Sequence, residues 1–358
     1  MKMKGRTVKR RSVLAGLGAA AAAHALPPPE SRVVRVPSAL PPRKVIVGTV
    51  MQPYWGEYPG LEKRLDQLDG DVERMAEESR SRYGRGVDLA ILPETSITGE
   101  AGNDALARSV PFEGPVAERF TRLARRNRCY IVVSTYLREA FNPGQCSNAA
   151  VLVGRNGEVI GVYRKMHLVV GADGKTMEGG ATPGRELPVF DCDFGKLGIQ
   201  ICYDMEFDDG WRALAGKGAE LIAWPTQSPQ TSQPAARARE QRCYIVSSTW
   251  RNNASIFEPT GKITAQIRPP KEILVQEIDL SYAILPWSSK LKNGRAIREA
   301  FGERAGFRYY EDEDCGIFWS NDPRTPVRRM VRSLGLLEAE EELQRVRAAY
   351  RRAGVPGY

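Results

Sequence analysis

Three residues able to act together on an electrophilic carbon close apolar, strand-like runs. Glu94 ends "LAILPE", Lys165 ends "GEVIGVYRK" and Cys202 ends "LGIQIC". In α/β sheets, reactive groups gather outside the carboxyl ends of strands. A carboxylate, an ammonium and a thiol brought together there supply a base, a cation and a nucleophile. Taken alone, Cys202 reads equally as a small buried hydrophobe. The acid and the amine at matching strand tips tilt the reading toward chemistry.

The elements that must position these residues are legible as runs rich in Val, Ile and aromatics, bounded by Gly, Pro and Asn. Among them are "KVIVGTVMQ", "VDLAILPE", "YIVVSTYL", "KLGIQICYD", "AELIAWPT" and "EILVQEIDL". Amphipathic stretches such as "LEKRLDQLDGDVERMAEESRSRYG" and "PVAERFTRLARRNR" lie between them and predict helices. The Asn-Gly pair in "VLVGRNGEVIGVY" predicts a hairpin. The chain also repeats itself: "VDLAILPE" echoes "AELIAWPT", "RCYIVVSTY" echoes "RCYIVSSTW", and "SNAAVLVGRNGEVIG" echoes "NNASIFEPTGKITA". Two similar halves packed sheet on sheet, with helices outside, give an α/β fold of four layers, α-β-β-α. Only the first copy ends its strand on an acid, Glu94; the second ends on Thr226. After residue 286 the pattern weakens, except for an amphipathic helix over 338–354, so 286–358 is expected to be an arm over the domain or a partner subunit.

The segments "LPETSITG", "YRKMHL" and "GIQICYDMEF" resemble the three signature segments of the nitrilase superfamily, the carbon–nitrogen hydrolases, over residues 44–285. That resemblance implies a hydrolase of amides or N-carbamoyl amines that works through a thioester and needs no cofactor. Cys202 would be the nucleophile and Glu94 the general base. Lys165, with the backbone N–H of Tyr203, would stabilise the oxyanion. Family members carry a second glutamate after the lysine; Glu178 is the candidate and Asp173 the fallback. His167 is expected to be structural. Glu206 and Trp224 are candidates for substrate binding. Many members have Phe-Pro-Glu after the Cys-Tyr-Asp, where this chain has Phe207-Asp208-Asp209. Members that cleave carbamoyl amino acids can carry an arginine just after the nucleophile, where this chain has Met205 and Glu206. A neutral or cationic substrate is therefore expected. The same residues would also serve nitrile hydrolysis or acyl transfer, and a non-catalytic exported binding protein on this scaffold is the reading from another class.

Composition narrows the field. The 358 residues, 42 % hydrophobic, support a large core. The first 25 residues hold six basic residues and no acid, then an apolar stretch and an Ala23-His24-Ala25 cleavage pattern. With Arg10-Arg11 they resemble a twin-arginine export signal. Residues 26–43 read as a Pro-rich linker, 44–285 as the catalytic domain. Net charge is +9, but without the six leader residues it is only +3, so nucleic acid is not an expected partner. No apolar run approaches the roughly 20 residues needed to cross a bilayer. His24 leaves with the leader, so His167 is the one histidine left, which excludes a zinc site of several histidines. Six cysteines are scattered without a disulfide framework. A homodimer or higher homo-oligomer is expected by analogy with the family.

Overall fold

The computed structural model describes residues 41–100 and 102–357; the leader and most of the Pro-rich linker lie outside the described residues. The first half runs β1 (Lys44–Val50), α1 (Leu61–Tyr83), β2 (Leu89–Ile91), α2 (Ala105–Arg108), α3 (Gly114–Asn127), β3 (Tyr130–Glu139), β4 (Asn142–Val153) and β5 (Val159–Arg164). The second runs β6 (Val189–Cys192), β7 (Gly195–Ile199), α4 (Asp209–Gly216), β8 (Leu221–Pro225), α5 (Ser232–Gln241), β9 (Tyr244–Ser248), β10 (Ala254–Phe257), β11 (Ile263–Ile267) and β12 (Ile273–Asp279). The C-terminal part adds β13 (Tyr282–Pro286), α6 (Arg295–Phe301), β14 (Ala305–Tyr310), β15 (Cys315–Ser320), α7 (Val327–Ser333) and α8 (Ala339–Arg352).

Two six-stranded sheets result, in the orders β12-β1-β2-β3-β4-β5 and β11-β10-β9-β8-β7-β6. In each, the first three strands of the repeat are parallel and the hairpin strands antiparallel. Alternation along the strands explains the layers. Val45 and Val47 of β1 enter the core between the sheets with Leu197 and Ile199 of β7. Ile46 and Val50 point the other way, into a core with Leu65, Leu68 and Met75 of α1 and Phe120 of α3. The outer face of the second sheet is covered from α4 by Trp211 and Leu214 and from α5 by Ala238. The architecture is the four-layer α-β-β-α sandwich read from the echoes. Each fully buried Val, Leu or Ile contributes roughly 1.5–3 kcal/mol relative to exposure. Gly48 and Gly198 stand at matching positions where a helix lies against its sheet. A Cβ there would come 2.9 Å from Met75 Sδ and 3.1 Å from Leu214 Cδ1.

The edges carry an exchange. The strand that follows the first hairpin, β6, pairs antiparallel with β7 of the second sheet, while the strand that follows the second hairpin, β12, pairs antiparallel with β1 of the first. The part after residue 286 is more than an arm. Strands β13, β15 and β14 form a third sheet with its own core of Leu285, Leu291, Phe318 and Val331. Arg308 of that sheet donates to the fully buried Glu258, at 2.9 Å from Nε and 2.5 Å from Nη2. Among the described residues, no helix is long and apolar enough to cross a membrane.

Candidate active site

The strand tips meet where the two sheets touch. Ser248 at the end of β9 donates to the carbonyls of Val50 and Ile91, both at 2.9 Å, and so ties the second sheet to β1 and β2. Trp250 Nε1 donates to the Glu94 carbonyl at 2.8 Å. The backbone just past β5 is clamped as well: Lys165 N–H donates to Asn148 O, and Gly184 N–H donates to Lys165 O, each at 2.8 Å. Three non-glycine residues in or beside the site adopt positive φ: Thr95 at 47°, Glu178 at 38° and Cys202 at 41°. Strain of this kind is held where the surroundings over-determine the backbone, commonly at functional sites.

Lys165 is 1 % exposed and sits between two carboxylates. Its ammonium donates to Glu94 Oε1 at 2.9 Å and to Glu178 Oε1. Burial alone would lower the lysine pKa, but Glu94, Cys202 and Glu178 outweigh it and hold the group well above its usual 10.5. Asn148 on β4 closes the network, with Nδ2 donating to Glu94 Oε1 and Glu178 Oε2, each at 2.9 Å. The chain returns Glu178 to this place through the 169–178 hairpin, where Val169 N–H donates to Glu178 Oε1 at 3.1 Å. Glu94 Oε2 is buried and has no hydrogen-bond partner among the described residues.

Cys202 follows β7 on a tight elbow that continues as a 3-10 turn over Cys202–Glu206. Its sulfur is hydrogen-bonded by the Thr226 side chain and the Gln227 backbone. Burial and the Glu94 carboxylate push the thiol up to about 12, against the pull of Lys165. Beneath the elbow, fully buried Asp204 gathers four donors. Oδ1 takes His167 N–H and faces His167 Nδ1, both at 2.9 Å; Oδ2 takes Ile201 N–H at 2.9 Å and Tyr163 O–H at 2.7 Å. One carboxylate thus fixes the elbow to the segment just after Lys165. His167 stacks on Phe207 at 4.0 Å, and its Asp204 hydrogen bond raises its pKa above 6.5.

Glu94, Lys165, Glu178 and Cys202 converge. Tyr203, second in the elbow's turn, is 38 % exposed; the first N–H groups of such a turn have no partner within it. His167 is held between Asp204 and Phe207. Asp173 stays in its own turn, accepting from Lys175 N–H and Thr176 N–H at 2.9 Å, and takes no part. Glu206 is exposed and accepts from Gln230 Nε2 at 3.1 Å. Trp224, a candidate for substrate contact, is fully buried, and its Nε1 donates to the Cys202 carbonyl at 3.1 Å. Asn148 and Asp204 were not singled out from sequence. The signal for Asn148 was there: a polar residue in an apolar strand, aligned with Asn253 in the echo.

The model of the carbon-nitrogen hydrolase family matches residues 58–285. Human deaminated glutathione amidase is 29 % identical over 234 residues, 58 % of this chain and 71 % of that protein. An omega-amidase of Xenopus laevis is 26 % identical over 222 residues, 55 % of this chain and 79 % of that protein. Among solved structures, Nit3 of Saccharomyces cerevisiae, a member of branch 10 of the nitrilase superfamily, aligns with a TM-score of 0.57 at 20 % identity, covering 72 % of this chain and 94 % of that one. An amidase from Nesterenkonia sp. aligns with a TM-score of 0.56 at 24 % identity, covering 66 % and 90 %. By the match to well over half its length, and with this fold, the chain belongs to the carbon-nitrogen hydrolase family of the nitrilase superfamily, hydrolases of carbon–nitrogen bonds other than peptide bonds.

Proposed function

We propose that the protein is an amidase that cleaves a small-molecule amide or N-carbamoyl amine through a thioester on Cys202. The observation that carries this is the buried network in which Lys165 bridges Glu94 and Glu178 beside the thiol, leaving Glu94 Oε2 without a partner among the described residues. Burial and Glu94 raise the thiol pKa, so its proton leaves during attack, and Glu94 is the base that takes it. Lys165 and the Tyr203 N–H receive the oxyanion. The C–N bond then breaks, Glu94 returns the proton to the departing nitrogen, and the acyl group stays on sulfur. Water gives a proton to Glu94 and attacks the thioester; the C–S bond breaks, Glu94 returns the proton to the sulfur, and the acid leaves with the thiol restored.

The amidase names of the relatives favour amide hydrolysis over nitrile hydrolysis or acyl transfer. Glu206, exposed four residues beyond Cys202 on the same turn, supports a neutral or cationic substrate over an anionic one. The basic leader supports export. The test is a panel of amides, carbamoyl compounds and nitriles with purified protein, including carbamoylputrescine against carbamoyl-β-alanine. Mass spectrometry of a Glu94→Ala variant should trap an acyl adduct on Cys202. Turnover surviving alkylation of Cys202 would end the proposal, and a clear preference for carbamoyl-β-alanine would end the charge assignment.

A further inference from the structure

We infer that Asn148 is a positioning residue that selects which oxygen of Glu94 serves as the base. The inference rests on the amidase reading above. A primary amide has two N–H donors, and Asn148 spends one on each carboxylate, on Glu94 Oε1 and on Glu178 Oε2. The orientation is dictated by its neighbours, since an amide oxygen placed there would meet only acceptors. Lys165 adds a second bond to the same Glu94 oxygen. Oε1 is thus occupied twice, while Oε2, equally buried, has no partner among the described residues.

The consequence is a directional base. In the attack, the Cys202 S–H bond breaks, its proton passes to Glu94 Oε2, the sulfur electron pair forms the S–C bond, and the carbonyl π pair moves onto oxygen. Were Oε1 free, the carboxylate could rotate and offer either oxygen, or share a proton with Glu178. Asn148 prevents both, by holding the two carboxylates apart on separate hydrogens. Its own backbone carbonyl accepts from Lys165 N–H at 2.8 Å, so the same residue also sets where the ammonium begins. The second half shows what this position does without the task. The aligned Asn253 donates to Pro229 O and accepts from Ser255 Oγ on β10, and neither partner is charged. The charged and titratable groups facing Asn148's network are Glu94 beyond β2, Lys165 beyond β5, Glu178 on its 3-10 turn, Cys202 on the elbow, and Tyr136 on β3, whose hydroxyl is influenced by Glu178, Glu94 and Lys165.

The experiment compares Asn148→Ala and the isosteric Asn148→Asp with the parent and with Cys202→Ala, using the hydrolysed substrate from the panel. Losing a charge-assisted donor should lower kcat roughly 10- to 100-fold with little change in KM. The acid limb of kcat/KM should move to higher pH, further in Asn148→Asp, which places a third carboxylate in the cluster. The pH dependence of Cys202 alkylation by iodoacetamide should shift in the same direction and needs no turnover. Asn148→Asp keeps the side-chain shape if the alanine variant unfolds. A parental acid limb and parental alkylation profile in a folded variant would overturn the role of Asn148. Full activity of Cys202→Ala would instead overturn the amidase reading itself.

Discussion

The two halves share strand order, pairing and helix placement, yet only one acid, one amine and one thiol emerge from their duplicate tips. Register makes the comparison residue by residue. Val47 pairs with Leu89, and Leu197 pairs with Leu221, the echo of Leu89. Counting on from these pairs, Cys202 corresponds to Gln52 and Asp204 to Tyr54. The echo itself sets Glu94 against Thr226 and Lys165 against Pro269. The pseudo-symmetric partner of Glu94 is thus not idle, because Thr226 hydrogen-bonds the Cys202 sulfur. One site is assembled from unlike ends of like strands, with the first half supplying the charges and the second the thiol and its support.

The largest effect that would break this asymmetry is at the sulfur. Cys202→Ala should reduce turnover by roughly 10⁴-fold or more, while Gln52→Leu at the matching position should leave it within a few-fold. Steady-state rates on the best panel substrate decide; comparable losses at both positions would refute the assignment. Next comes the pair Glu94 and Thr226. Glu94→Gln should cost about 10²–10⁴-fold. Thr226→Val should cost about tenfold in turnover, and iodoacetamide should alkylate the thiol more slowly once that donor is lost. Equal losses would mean that the two tips share the work.

Asp204 and Tyr54 sharpen the comparison in stability. Asp204→Asn turns an amide N–H₂ toward donors and should destabilise by about 3 kcal/mol in urea unfolding. Tyr54, whose buried hydroxyl has no partner among the described residues, should tolerate phenylalanine at no cost. The smallest effect is a pH slope. His167 has its pKa raised by Asp204 in the folded state, so its contribution is full below 6.5 and is lost as pH rises through the folded value. The stability gap between the parent and His167→Phe, about 1 kcal/mol at most, should therefore shrink as pH rises from about 6.5 through the raised folded value. A gap that widens over that range would show that the pair does not contribute as a charged contact.

Much of the architecture was legible because both sheets are buried and repeated. Apolar runs bounded by turns define strands, and three echoes in one order define two halves. Glu94, Lys165 and Cys202 were legible because each ends such a run. Glu178 was harder: its approach to Lys165 depends on a hairpin that doubles back, which spacing alone does not encode. Asn148 sits inside a buried strand, and only the fold reveals the two carboxylates it reaches. The bond of Trp224 to the Cys202 carbonyl was not legible, because an aromatic near a strand tip fits a pocket wall as well as the packing beneath an elbow. The third sheet escaped because all six residues of β14 are half-buried, so no alternation marks it.

The traded strands at the sheet edges have a consequence for the order of synthesis. During translation the outer side of β1 finds its neighbour only after residue 273 has left the ribosome, because that neighbour is β12. Neither repeat is a contiguous module that could mature first and wait for the other. Long-range pairing of this kind slows folding and calls for something to shield an exposed β1 edge meanwhile, so the nascent chain is a natural client for a holding chaperone.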